Sequence, residues 1–85
     1  MTTYVERYEA AMVTQIKVEL AERSMEQKDL ADKVGINRVT MSHYMTGKRS
    51  IPMPTFLKIA EALAVAPGTL MDRADARVQP TAETA

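Results

Sequence analysis

An all-α fold of five helices is what the sequence predicts, from three observations. Ala, Met, Leu and Val supply most of the apolar mass in a chain that is 46% hydrophobic but only 5% aromatic, and this usage favours helix. No segment alternates apolar and polar residues with period two between hairpin turns, and no internal repeat is visible. Residues 27–49, QKDLADKVGINRVTMSHYMTGKR, read as two short helices hinged on a Gly-Ile-Asn turn, which is the helix-turn-helix layout.

Tyr4, Tyr8, Met12, Ile16 and Leu20 step by four, so residues 4–23 are expected to form a long first helix with a continuous apolar stripe. Glu6, Glu9, Lys17, Glu19 and Glu22 fall mostly on its other faces. Residues 1–12 read as an N-terminal helical extension of a domain spanning 1–74; Tyr4 and Tyr8 then either cover that domain's own core or meet a second subunit. The second helix starts near 24–27, where Ser24 with Gln27 resembles a capping box and Glu26 is the alternative cap. It stops at Gly35.

Asn37 is a favoured cap for a third helix over residues 38–45 or 46, and Gly47 closes it. Within this pair Leu30, Val34, Ile36, Met41 and Tyr44 are the large apolar positions, and Ala31 is the small residue where helices cross. Tyr44 is read as core rather than as a stacking platform, the methionines as gap-fillers, and Asp29 and Asp32 as the exposed face of the second helix. Residues 47–53, GKRSIPM, form a basic loop. Pro54 suits the first turn of a fourth helix carrying Phe56, Leu57, Ile59, Ala60 and Leu63, and Pro67 opens a fifth that runs to about Ala74. Residues 75–85 have little to bury and read as a flexible tail.

Charge is unevenly spread. Residues 33–60 hold Lys33, Arg38, Lys48, Arg49 and Lys58 with no Asp or Glu, a net +5 with His43 neutral; the 11 basic and 11 acidic residues of the chain balance, so the remainder is net −5. A polyanion partner needs a local positive face rather than a positive average, and that face is present. With no Cys, disulfides, thiolate metal sites and cysteine nucleophiles are excluded. His43 is the single His, so zinc is disfavoured. No Ser/His/Asp arrangement, P-loop or dinucleotide fingerprint occurs, and neither an enzyme nor a cofactor is expected. No apolar run approaches the roughly 20 residues that cross a bilayer, and MTTYVERYEA is unlike a secretory signal, so a cytoplasmic protein with no membrane partner is the expectation.

A helix in the major groove must show short polar or apolar side chains at its N-terminal end while its other face is anchored. With Met41 and Tyr44 facing the core beside Ile36, Arg38, Val39, Ser42, His43 and Thr46 are left toward the groove or its walls. Arg38 can meet guanine N7 and O6 with two hydrogen bonds, Val39 can pack on a thymine methyl, Ser42 can donate or accept, and His43 can reach a base, a phosphate or only solvent. Gln27, Asn37, Thr46, Lys48 and Arg49 are the candidate phosphate contacts, with the helix amides at Gln27 adding partial positive charge.

The LADKVGIN segment, the GKR loop and the following LKIAEALAV helix resemble the phage repressor and Cro family of helix-turn-helix proteins, also called the xenobiotic-response-element type, over about residues 16–71. The resemblance implies a compact five-helix, lambda-repressor-like DNA-binding domain. It also implies a phosphate contact for Gln27 and base-facing roles for Arg38, Val39 and His43, with Ser42 and Thr46 at contact positions in some members. The chain departs from the pattern at Met45, where many members carry Glu, and at Val39, where a polar residue is common.

The expected function is that of a sequence-specific transcriptional regulator, a phage or prophage repressor or Cro-like protein that occupies an operator in double-stranded DNA and excludes polymerase. One module binds a half-site weakly, so a homodimer on a palindrome is expected, formed in solution or only on DNA. Tyr4, Tyr8, Leu70 and Met71 are the candidate dimer residues. Two other readings stay open: an antitoxin that holds a toxin protein and autoregulates its operon, and a scaffold serving protein contacts alone, against which the acid-free stretch argues.

Overall fold

Thr3 caps the first helix, α1 (Tyr4–Glu22): its hydroxyl accepts from the Glu6 N–H at 3.0 Å, and the Glu6 carboxylate accepts from the Thr3 N–H at 2.9 Å. The computed structural model describes residues 3–78. Four further helices follow, α2 (Gln27–Val34), α3 (Arg38–Met45), α4 (Met53–Ala62) and α5 (Pro67–Asp75), and the described residues contain no strand. The five-helix, all-α expectation holds. At 19 residues α1 runs about 28 Å, and it packs chiefly on α5, while α2 packs on α3 and α4.

Each helix or its cap sends a wholly enclosed side chain to one core: Ile16, Leu30, Met41, Ile59, Leu63 and Leu70. Ala31, Ala60 and Ala74 have no exposed surface either, which lets the helix axes approach. Burial fixes which of two adjacent apolar residues points inward at the fifth helix. Leu70 lies inside the core of its own chain and offers nothing to a second copy, a correction to its place among the dimer candidates; Met71, beside it, is exposed.

The apolar stripe of α1 is buried only from Ala11 and Met12 onward. Tyr8 is half-buried, and its hydroxyl donates to the Asp75 carboxylate; that bond and the Tyr4 neighbour push the phenol above its ordinary value. Tyr4 meets Tyr8 edge-on at 4.8 Å but is itself 64% exposed. The start of the expected tail lies against α1, with the Arg77 Nε donating to Gln15 Oε1 at 2.6 Å and Val78 packed on the core. Residues 79–85 of that tail, and Met1 and Thr2 of the expected extension, lie outside the described residues.

One residue sits where its sequence position does not suggest. Glu19, expected on an outer face of the first helix, is fully buried. Its Oε1 accepts from Arg23 Nη1 at 2.7 Å, and its Oε2 accepts from Arg73 Nη1 at 2.7 Å and Gln15 Nε2 at 2.8 Å. Arg23 also donates to the Leu63 carbonyl at 3.1 Å, so the network ties α1 to the end of α4 and to α5. Burial pushes the Glu19 carboxyl up, but the hydrogen bonds from Arg73, Gln15 and Arg23 together outweigh it and hold the group at about 2.

Two helix ends use residues other than glycine in the left-handed region. Ser24 (φ 52°) belongs to the turn that ends α1, so it does not cap α2; Glu26 takes that place, its N–H donating to Asp29 Oδ2 at 2.9 Å. Ala64 (φ 59°) ends α4 in the same way, with Val65 N–H on the Ala60 carbonyl at 3.0 Å. An L-residue with a Cβ is strained there. Ala64→Gly is therefore expected to stabilise the domain by about 0.5–1 kcal/mol, seen as a raised urea midpoint at unchanged slope; a lower midpoint would contradict the assignment.

Candidate nucleic-acid interface

The turn between α2 and α3 is built from three local features. Gly35 takes φ 84°, where a side chain would be strained, and its N–H and that of Ile36 both donate to the Ala31 carbonyl, at 2.8 and 3.0 Å. Ile36 then tucks against the core, half-buried. Asn37 caps α3 as expected, its Oδ1 accepting from the Val39 N–H at 2.6 Å, which leaves Nδ2 as the donor side of the amide.

Because the cap sets where α3 begins, it also sets which residues face out. Met41, Tyr44 and Met45 are buried, Met41 and Tyr44 as expected of the core face and Met45 as one of the gap-filling methionines. On the other side Arg38 and Val39 are exposed, Val39 by 61%, and Ser42 and His43 are half-buried. Arg38 and Val39 thus stand in the first turn of α3, and Ser42 and His43 follow toward its last turn, each with accessible surface.

After α3 the chain turns at Gly47 (φ 80°), and the N–H groups of Lys48 and Arg49 donate to the His43 carbonyl at 2.9 and 3.2 Å. This anchors the loop beside the helix. The Arg49 guanidinium lies 5.9 Å from the centre of the Tyr44 ring, so Tyr44 serves as core on one side and as a rest for a cation on the other. Lys48 and Arg49 remain exposed, and none of Lys33, Lys48, Arg49 and Lys58 pairs with an acid among the described residues. Gln27, the first residue of α2, is half-buried with the helix amides around it. Thr46 is exposed, but its Oγ1 donates to the Ser42 carbonyl at 2.9 Å; a phosphate oxygen only accepts, so that bond must break before Thr46 can donate to one.

Arg38 is the one cation of the acid-free stretch with an acidic partner among the described residues. Its Nη2 donates to Asp32 Oδ2 at 2.9 Å and its Nε to Asp32 Oδ1 at 3.3 Å, across the turn from α3 to α2. The Arg38 guanidinium holds the Asp32 carboxyl below the usual range, and Asp32 raises Arg38 in return. Spacing within one helix cannot show this pair, since the two residues are six apart with the turn between them; only the turn geometry brings them together.

A cleft of about 720 Å³ opens on the flank of this face, between the first half of α1, the loop after α3 and the start of α4. Its lining includes the buried Met12, Tyr44, Met45 and Phe56 and the exposed Glu6, Glu9 and Arg49. No group of three or more His, Cys, Asp or Glu that could hold a metal occurs among the described residues, and no described helix is long and apolar enough to cross a membrane.

Five helices, with α3 set across a tight turn from α2 and exposed cations in the loop after it, define a helix-turn-helix fold. A family model described as the Cro/C1-type HTH DNA-binding domain matches residues 15–76, and the chain belongs to that family. The match begins inside α1, so the first part of that helix lies outside it. The chain is thus a DNA-binding regulator of transcription, from a family whose members are not normally enzymes. Searches of curated proteins and of solved structures found no match.

Proposed function

We infer that the chain is a phage or prophage repressor or Cro-like protein that occupies a palindromic operator as a homodimer in the cytoplasm. The observation that carries this reading is the division of α3, sealed on one side by Met41, Tyr44 and Met45 and open on the other at Arg38, Val39, Ser42 and His43. Seated in a major groove, that face offers a guanidinium fork to guanine, isopropyl methyls to thymine, and the Ser42 and His43 polar atoms to neighbouring edges. Gln27, Asn37, Lys48 and Arg49 grip phosphates on either wall, and Thr46 does so once its hydroxyl leaves Ser42. Tyr4, Tyr8 and Met71 remain the candidate dimer residues.

Selection of bound fragments from a random duplex pool tests this directly. The expected product is an inverted repeat with half-sites about one helical turn apart. If the dimer neutralises six to eight phosphates, its affinity drops about 10³-fold between about 50 and 200 mM salt. Replacing Lys48 and Arg49 by Ala should reduce the salt slope by about two per subunit and weaken all sequences alike. A pool that shows no enriched sequence at low salt would end the operator reading.

A second reading, the antitoxin, draws support from the cleft and from the exposed Tyr4 and Val5 at the start of α1, a surface off the reading face that a protein can cover. A stable complex with the product of a neighbouring small toxin gene would favour it.

A further inference from the structure

Asp32 touches the residue assigned above to base reading, and the way it does so has a directional consequence. A guanidinium carries five N–H donors arranged as two usable forks, one along its side (Nε and Nη2) and one across its end (Nη1 and Nη2). Asp32 occupies the side fork of Arg38, at 3.3 Å from Nε and 2.9 Å from Nη2. The end fork stays open, and the guanidinium is paired to a carboxylate carried by α2.

We propose that Asp32 is a positioning residue for DNA recognition: it orients Arg38 so that the end fork meets guanine O6 and N7, and it raises sequence discrimination at the expense of overall affinity. This rests on the reading of Arg38 as a base contact. Three features of the pair favour orientation over a role in the fold. Both side chains are more than half exposed, 62% and 57%, so the pair contributes little to stability. Asp32 is also an acid beside the most basic part of the chain, where a carboxylate repels the phosphate backbone and weakens binding to every sequence. Finally, an unheld arginine has many rotamers, and holding it before contact removes part of the ordering cost of the specific complex.

With its side fork taken, Arg38 has less freedom to swing onto a phosphate, the alternative that any nearby arginine finds in nonspecific complexes. Asp32 thereby disfavours the nonspecific mode twice, by charge and by occupying donors. Specificity from a repulsive element paired with an attractive one is a general device.

The test uses the full chain on its selected operator and on a scrambled duplex, with each base pair of one half-site varied in turn. For Asp32→Asn the expected result is a 3- to 10-fold gain in affinity for the scrambled duplex, with about a 5- to 10-fold loss of discrimination at one base pair, the one whose preference Arg38→Ala erases. Discrimination elsewhere and the thermal midpoint should stay as in the parent. Asp32→Asn combined with Arg38→Ala should discriminate at that base pair no worse than Arg38→Ala alone, since the carboxylate acts through the guanidinium. Full discrimination at that position in Asp32→Asn would overturn the proposal, as would equal loss at every position. If Arg38→Ala itself leaves every position unchanged, Arg38 is not a reader and Asp32 loses its role with it; the operator reading then stands or falls separately, on whether the parent chain selects a site.

Discussion

Replacing Arg23 and Arg73 together by Met is expected to reverse the pH dependence of stability and to cost about 3–5 kcal/mol at neutral pH. In the parent protein the Glu19 carboxyl is held at about 2, against an ordinary value of 4.5. A depressed folded-state value contributes stability that is fully present above about 4.5 and is lost as the pH falls toward 2; here it amounts to about 3 kcal/mol. Without the two arginines the carboxylate is still enclosed and keeps only Gln15, so burial alone pushes its value above 4.5. A raised folded-state value contributes stability below the ordinary value and loses it as the pH rises. The double variant should therefore be more stable near pH 4 than near pH 7, whereas the Glu19 contribution to the parent is larger at pH 7.

Urea unfolding at the two pH values reads the sign directly. The expected loss is a large fraction of the total, since a domain of this length is stable by only about 4–13 kcal/mol. Adding Glu19→Leu to the double variant should restore most of the loss, because an apolar side chain leaves no buried charge behind. A double variant that keeps the parent's pH dependence would show that the arginines do not hold the carboxylate in solution.

Arg38→Ala is expected to abolish preference at one base pair in each half-site. One two-pronged arginine–guanine contact is worth about 1–3 kcal/mol, so a symmetric dimer loses about 2–6 kcal/mol, or about 30- to 10⁴-fold in operator affinity. The fold should be unaffected, because the pair that Arg38 makes with Asp32 is exposed on both sides. Binding to scrambled DNA should change far less, since the variant keeps Lys48, Arg49 and the amides of α2, the proposed phosphate contacts. Competition titrations of the parent and the variant on operator and scrambled duplexes separate the two effects. A variant that loses affinity equally for both duplexes would place Arg38 on the backbone rather than on a base.

The helix-turn-helix was legible because its determinants are short in range. Asn37 bonds to a residue two positions on, Gly35 takes a conformation its lack of a Cβ allows, and Pro67 sits at the first position of the helix it opens. The outer face of α3 followed from periodicity once the cap was placed. Where two local patterns competed, the sequence was ambiguous. Ser24-x-x-Gln27 and Glu26-x-x-Asp29 both fit a helix start, and Ser24 lost because the chain leaving α1 turns through the left-handed region at that residue.

Other assignments depended on contacts that spacing cannot carry. Glu19 has the composition of a surface position, and its enclosure follows from Arg73, 54 residues away, and from Arg23 reaching the Leu63 carbonyl. Leu70 and Met71 are equal as apolar neighbours until α5 lies on α1 and α4, after which one is inside and the other outside. The sequence by itself determined the five helices, the turn and the basic stretch from 33 to 60, because caps, helical period and charge act over a few residues. Tertiary structure alone decided the buried carboxylate, the inward Leu70 and the hold of Asp32 on Arg38, because each depends on how separate helices are set against one another in space.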